Sequence, residues 1–123
     1  MAHIVILGAG IGGMPCAIEM RDMLPRQHKI TVVNALDYFQ FVPSNPWLAV
    51  GWRKPDDITL DAAEPLLRKD IDFNGSGARI IDAVHRSVQA GDGTRFDRIS
   101  SSIYARSVSR FIPATARTRK SLT

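Results

Sequence analysis

The stretch HIVILGAGIGGMPCAIEM, residues 3–20, constrains the fold of this chain more than any other. His3–Leu7 is a short run of β-branched and aliphatic residues, the composition and length of a buried strand. Gly8-Ala9-Gly10-Ile11-Gly12-Gly13 follows and satisfies the pattern G-x-G-x-x-G. Each glycine has a separate job in such a turn. Gly8 permits the tight reversal, Gly10 lets the backbone approach a pyrophosphate, and Gly13 lets strand and helix pack closely. From Ile11 to Leu24 the apolar spacing is helical: Met14, Ala17, Ile18 and Leu24 share one face, with Glu19, Arg21 and Asp22 expected outward. Pro15 is tolerable in a first helical turn, and Pro25 stops the helix. Ile30–Val33 reads as a second strand. The whole is a βαβ unit, the context in which a glycine turn presents helix N–H groups and the positive dipole end to a dinucleotide.

The end of the second strand is the next checkpoint, because an acid there commonly grips ribose hydroxyls. This chain has Asn34, followed by Ala35. An asparagine can hydrogen-bond a hydroxyl without charge assistance, or it can simply begin a turn. Cys16, just inside the first helix, is the single cysteine. Its neighbours are apolar, so a buried structural thiol is expected, and no internal disulfide can form. Three scattered histidines (His3, His28 and His85) do not make a metal site.

The remainder is less regular. Tyr38 to Pro55 reads as a long connection holding several prolines, and Asp61–Lys69 as a short helix disturbed at Pro65. Ile71–Phe73 and Ala78–Asp82 read as strands. Ser87–Gln89 and Thr94–Phe96 flank Ala90-Gly91-Asp92-Gly93, a hairpin turn by its Asp-Gly signal. The sequon Asn74-Gly75-Ser76 reads as an ordinary loop, since no basic stretch and apolar core of a secretory leader precede it. The uncharged run Ile4 to Ile18 is too short and too rich in glycine to span a membrane. With no such span the chain is expected to be cytoplasmic.

The net charge of +4 hides an asymmetry. Residues 1–97 carry 10 basic and 12 acidic side chains, whereas residues 98–123 carry six basic ones and no acid. The two parts are therefore read separately: 1–97 as part of a nucleotide-binding domain, and 98–123 as a basic, serine-rich tail without periodicity, expected to be disordered.

Residues 37–58, DYFQFVPSNPWLAVGWRKPDDI, hold five of the nine aromatics: Tyr38, Phe39, Phe41, Trp47 and Trp52. Taken alone, this is an ordered loop packed by its own aromatics, either as a small core or over a flat ligand. With the glycine turn, Ile71-Asp72-Phe73, Gly77-Ala78 and the Gly91-Asp92-Gly93 hairpin, it resembles the N-terminal region of bacterial sulfide:quinone oxidoreductases. These are flavoproteins of the pyridine nucleotide-disulfide oxidoreductase superfamily. The resemblance runs from Ala2 to about Asp97. It implies an α/β, partial Rossmann-like FAD-binding domain: a parallel sheet, the βαβ unit and a β-hairpin, followed by the irregular tail. It implies FAD as the cofactor, with Gly8, Gly10, Ile11, Gly12 and Gly13 at the pyrophosphate, Asn34 and Ala35 at the adenosine ribose, and Gly77 and Ala78 at adenine. Pro43 and Ser44 would lie toward the flavin. In the full-length family electrons pass from sulfide through redox cysteines to FAD and then to quinone at the membrane surface, where the enzyme is peripherally bound.

The departures from the family begin after Asp97, where a hydrophobic strand is expected and Arg98-Ile99-Ser100-Ser101-Ser102 stands instead. Codons for these residues can read Tyr-Leu-Val-Ile in a neighbouring frame, so the expectation is a truncated or frameshifted chain that has lost this strand. The family's redox cysteines, second dinucleotide domain and membrane-docking helices have no counterpart in the sequence. The reading is an FAD-binding fragment that is not catalytic alone. The alternatives are a stand-alone NAD(P)- or FAD-binding module acting with a partner chain, and an interaction protein with a basic tail. No nucleic acid is expected as a partner.

Overall fold

The computed structural model describes residues 2–104. Its centre is a four-stranded, all-parallel sheet made of β1 (His3–Leu7), β2 (Lys29–Val33), β5 (Asp72–Asn74) and β9 (Ser101–Tyr104), in the order β5-β2-β1-β9. β1 pairs with β2 from His3↔Lys29 to Leu7↔Val33. β1 and β2 are mostly aliphatic because both sheet faces are covered at their positions. Alternation along β1 sorts its residues between two cores. Ile4 and Ile6, with Ile30 and Val32 of β2, pack against Met14 and Ala17 of α1 (Gly13–Met23) and Leu66 of α4 (Ala63–Arg68). Val5, Leu7 and Val33 point the other way, against Val88, Ile99, Ile81 and Phe96. That second cover is a three-stranded antiparallel sheet, β6 (Ala78–Asp82), β7 (Ser87–Ala90) and β8 (Arg95–Phe96). Helices thus cover one face and the hairpin sheet the other.

The segment between β2 and β5 holds more structure than a loop. β3 (Tyr38–Gln40) pairs antiparallel with β4 (Thr59–Asp61). Between them lie a 3-10 turn (Val42–Ser44), α2 (Asn45–Ala49) and α3 (Pro55–Ile58). Each of the three has a proline in its first two positions: Pro43, Pro46 and Pro55. Proline there forfeits only an N–H that has no helical partner, so these residues start short helices.

Two expectations need correction. Arg21 does not point outward. It is 5% exposed, and its guanidinium folds over the end of α1 to donate to the carbonyls of His28 (3.0 Å) and Pro25 (2.9 Å). A cation in the last turn of a helix is favourable, and its two charge-assisted bonds to the connection after α1 outweigh the outward pattern at this position. The chain also keeps a strand after Asp97. Arg98 turns it with φ 54°, Ile99 plugs into the second core at 4% exposure, and Ser100 N–H donates to His3 O at 2.8 Å. Ser101–Tyr104 then pairs with β1 from Ile4↔Ser101 to Leu7↔Tyr104. A parallel ladder is made by backbone groups, which serine supplies as well as valine does. The boundary expected at residue 97 therefore cuts through the sheet. The rest of the expected tail, residues 105–123, lies outside the described residues.

Candidate dinucleotide site

β1 and β2 end side by side in the parallel sheet, so the connections leaving them meet at one edge. This is where open parallel sheets bind ligands. The first connection is the glycine turn. Gly8 has φ 109°, a conformation other residues rarely adopt, and its N–H donates to Val33 O at 2.7 Å. α1 then begins with Gly12 as its N-cap. No side chain caps it, and no acid sits in its first turn. The N–H groups at a helix start have no partner within the helix. Here Met14 N–H is taken by Gly10 O at 3.1 Å and Pro15 has none, which leaves the N–H groups of Gly12 and Gly13, with no acid in the first turn to offset the dipole's positive end. A Cβ placed on Gly10 would meet no atom within 4 Å, so the space in front of this residue is open.

The second connection starts at Asn34, which is 7% exposed. Its Oδ1 accepts from Ala9 N–H at 3.0 Å, and its Nδ2 donates to Leu36 O at 2.8 Å. Each end of the carboxamide makes one bond within the protein, to the glycine turn on one side and to its own connection on the other. Ala35, the next residue, is exposed.

The third connection, between β5 and β6, crosses the second. Asn34 N–H donates to Asn74 O at 2.9 Å, and Gly77 N–H donates to Asn34 O at 2.8 Å. Gly77 has φ 79°, and a Cβ on it would lie 3.3 Å from Ala35 Cα. Behind it the hairpin is tied on: Gly91 N–H donates to Gly77 O at 2.8 Å, and Asp92 N–H to Ser76 Oγ at 3.1 Å. The Asp92 carboxylate accepts from Thr94 N–H at 2.9 Å and from Asn74 Nδ2 at 3.2 Å. These bonds, led by that from the Thr94 backbone, hold its pKa below the ordinary carboxylate value. Gly8, Gly10, Asn34, Ala35 and Gly77 thus belong to three linked connections at one end of the sheet, and Ala78 opens β6 directly after Gly77.

Pro43 and Ser44 stand differently. Pro43 is exposed, whereas Ser44 is 3% exposed and its hydroxyl accepts from Arg53 at 2.6 Å. The Ser44 hydroxyl therefore anchors its own loop. The aromatics of this loop do not form a closed core. Tyr38, Phe41, Trp47 and Trp52 are 39–76% exposed, with the Arg53 guanidinium 5.4 Å from the Trp47 ring centre. Phe39 alone among the five packs against the first core. A shallow cavity of about 280 Å³ lies beside the loop, lined by Tyr38, Gln40, Leu48, Pro55, Ile58 and Thr59. Cys16 is partly buried against the α1 side of the sheet, in keeping with a packing role. Sequence reasoning missed the Asn34–Ala9 bond; an asparagine where an acid is usual was its only signal.

No established family profile matches the chain. A sulfide-quinone reductase of Aquifex aeolicus (strain VF5) is 36% identical over 95 residues, which cover 77% of this chain and 22% of the relative. The crystal structure of the sulfide:quinone oxidoreductase from Aquifex aeolicus superimposes with a TM-score of 0.77 at 34% identity, covering 85% of this chain and 24% of that one. The reduced Bacillus anthracis CoADR-RHD superimposes with a TM-score of 0.73 at 17% identity, over 91% of this chain and 21% of that one; at that identity it speaks for the fold alone. The chain spans about a quarter of the length of these proteins. The expected α/β fold with its parallel sheet is the observed one.

Proposed function

From the premise that this chain is a homologue of sulfide-quinone reductase along 95 of its residues, we propose that it forms the ADP-binding front of an FAD-dependent oxidoreductase. The observation that carries the reading is the open space at Gly10 beside an uncapped helix start. The residues fit the group: the backbone N–H groups of Gly12 and Gly13 suit an anionic pyrophosphate, and a Cβ on Gly10 would meet no atom within 4 Å. FAD would be held at its pyrophosphate by Gly8, Gly10, Ile11, Gly12 and Gly13. The backbone at Ala35 would meet the ribose, and that at Gly77 and Ala78 the adenine.

When bound, the flavin supplies the two-electron chemistry, while the protein positions it. Transfer from sulfide to a quinone is the reaction of the whole unit that this front would serve. The chain carries a single cysteine, Cys16, and so has no pair of thiols of its own to take up sulfur. Among the described residues, no helix is long and apolar enough to cross a membrane. We place these residues on the cytoplasmic side of a membrane surface to which the whole unit would bind peripherally.

The experiment is a flavin titration of the purified chain followed by fluorescence, with a sulfide-dependent quinone-reduction assay beside it. Saturable FAD uptake without turnover is the expected result. Failure to take up any adenine dinucleotide would overturn the reading.

A further inference from the structure

Asn34 makes four hydrogen bonds that join three connections of the chain. Its N–H donates to Asn74 O (2.9 Å) and its carbonyl accepts from Gly77 N–H (2.8 Å). Its Oδ1 accepts from Ala9 N–H (3.0 Å), and its Nδ2 donates to Leu36 O (2.8 Å). The bond to Ala9 has a clear geometric meaning. The parallel ladder between β1 and β2 ends at Leu7↔Val33, after which Gly8 N–H still finds Val33 O at 2.7 Å. One residue further, Ala9 N–H donates to the Asn34 carboxamide. The side chain thus ties the start of the glycine turn, immediately before Gly10, to the residue that follows β2.

The two ends of the carboxamide meet opposite polarities. Ala9 offers a donor and Leu36 an acceptor, so only a group that accepts at one end and donates at the other satisfies both. An ionised carboxylate would set negative charge against the Leu36 carbonyl. Alanine would leave a buried N–H and a carbonyl without their partners.

We infer that Asn34 is a positioning residue that holds the glycine turn in its binding shape through Ala9 and Leu36, and that it is not a ligand of the ribose. This rests on the reading of the turn as a dinucleotide site. It separates Asn34 from an acid at the end of a second strand, which acts on the ligand directly.

The test uses the full chain, its Asn34→Ala and Asn34→Asp variants, and three ligands: ADP, 2′-deoxy-ADP and 3′-deoxy-ADP. Calorimetry gives the affinities, and amide exchange at Ala9 gives a readout that needs no ligand. Asn34→Ala should weaken ADP about tenfold, the scale of losing buried hydrogen bonds. It should weaken both deoxy ligands by the same factor, and Ala9 N–H should exchange markedly faster. Asn34→Asp should be equally weak near neutral pH. It should recover toward the wild type, compared at each pH, as the acid protonates and can again donate to Leu36. This arm stands even where Asn34→Ala does not fold. A loss that vanishes on either deoxy ligand would make Asn34 a ribose contact and overturn the inference. So would unchanged ADP affinity, or unchanged Ala9 exchange. Should the wild type take up no ADP, the dinucleotide reading falls, while Ala9 exchange still decides whether the tether exists.

Discussion

Gly77 passes Ala35 so closely that a Cβ on Gly77 would lie 3.3 Å from Ala35 Cα and 3.4 Å from its Cβ. The contact joins the connection after β2 to the one after β5, and Gly77 makes it with φ 79°. Gly77→Ala combines backbone strain with crowding of a rigid neighbour, and should cost about 1–3 kcal/mol of stability. Because both sides of the contact are proposed to flank the adenosine, adenosine-containing ligands should weaken as well. Urea unfolding and ADP titration of the same variant check the two effects. Unchanged stability would mean that this crossing is loose.

Ile99 tests whether the chain after Asp97 belongs to the core. It is 4% exposed and packs with Val5, Leu7, Val33 and Val88. Ile99→Ala should cost about 2–4 kcal/mol, as for truncation of a buried isoleucine. Denaturant unfolding measures it. A change within about 0.5 kcal/mol, the range of surface substitutions, would place Ile99 outside the core.

His3 gives the fold a pH dependence. Its Nε2 shares a hydrogen bond with Thr31 Oγ1 at 2.9 Å, and its ring meets Phe96 edge-on at 6.0 Å. Burial, helped by the Lys29 charge and partly opposed by Asp72, lowers its pKa from the ordinary 6.5. A base with a depressed pKa in the folded state is protonated more readily in the unfolded chain. Stability from this source is therefore complete above pH 6.5 and declines as pH falls from there toward the lowered value. Asp82 and Asp92, whose pKa values lie below the ordinary 3.8, contribute a separate loss at more acidic pH. Melting temperatures of the wild type and His3→Gln should diverge in slope between about pH 5 and 7, with the variant flatter. Parallel slopes would assign the mild-acid loss to another group.

How much of this is legible in the sequence depends on which interactions carry each element. The βαβ unit is legible because β1 and β2 are buried on both faces and α1 on one, so side-chain pattern and structure coincide. β9 is not, because Ser101 and Ser102 are placed by backbone pairing to β1, which leaves no hydrophobic signature. Arg21 misleads because its charge is used on carbonyls of the connection that follows its own helix and not in water. Pro43, Pro46 and Pro55 suggest a loop but open helical turns. At the site, the glycines announce themselves by spacing, whereas the role of Asn34 depends on Ala9, 25 residues away.

The space in front of Gly10 is where we propose that the pyrophosphate lies. Since no atom lies within 4 Å of a Cβ on Gly10, Gly10→Val should leave the fold intact and fill only that space. The measurement is calorimetric titration of wild type and Gly10→Val with ADP and FAD, alongside their circular dichroism melting curves. The wild type should bind ADP nearly as well as FAD, because this chain is proposed to hold the ADP half, and Gly10→Val should melt normally and bind neither. A Gly10→Val chain that binds both ligands like the wild type, or a wild type that binds FAD without measurable ADP binding, would contradict that placement.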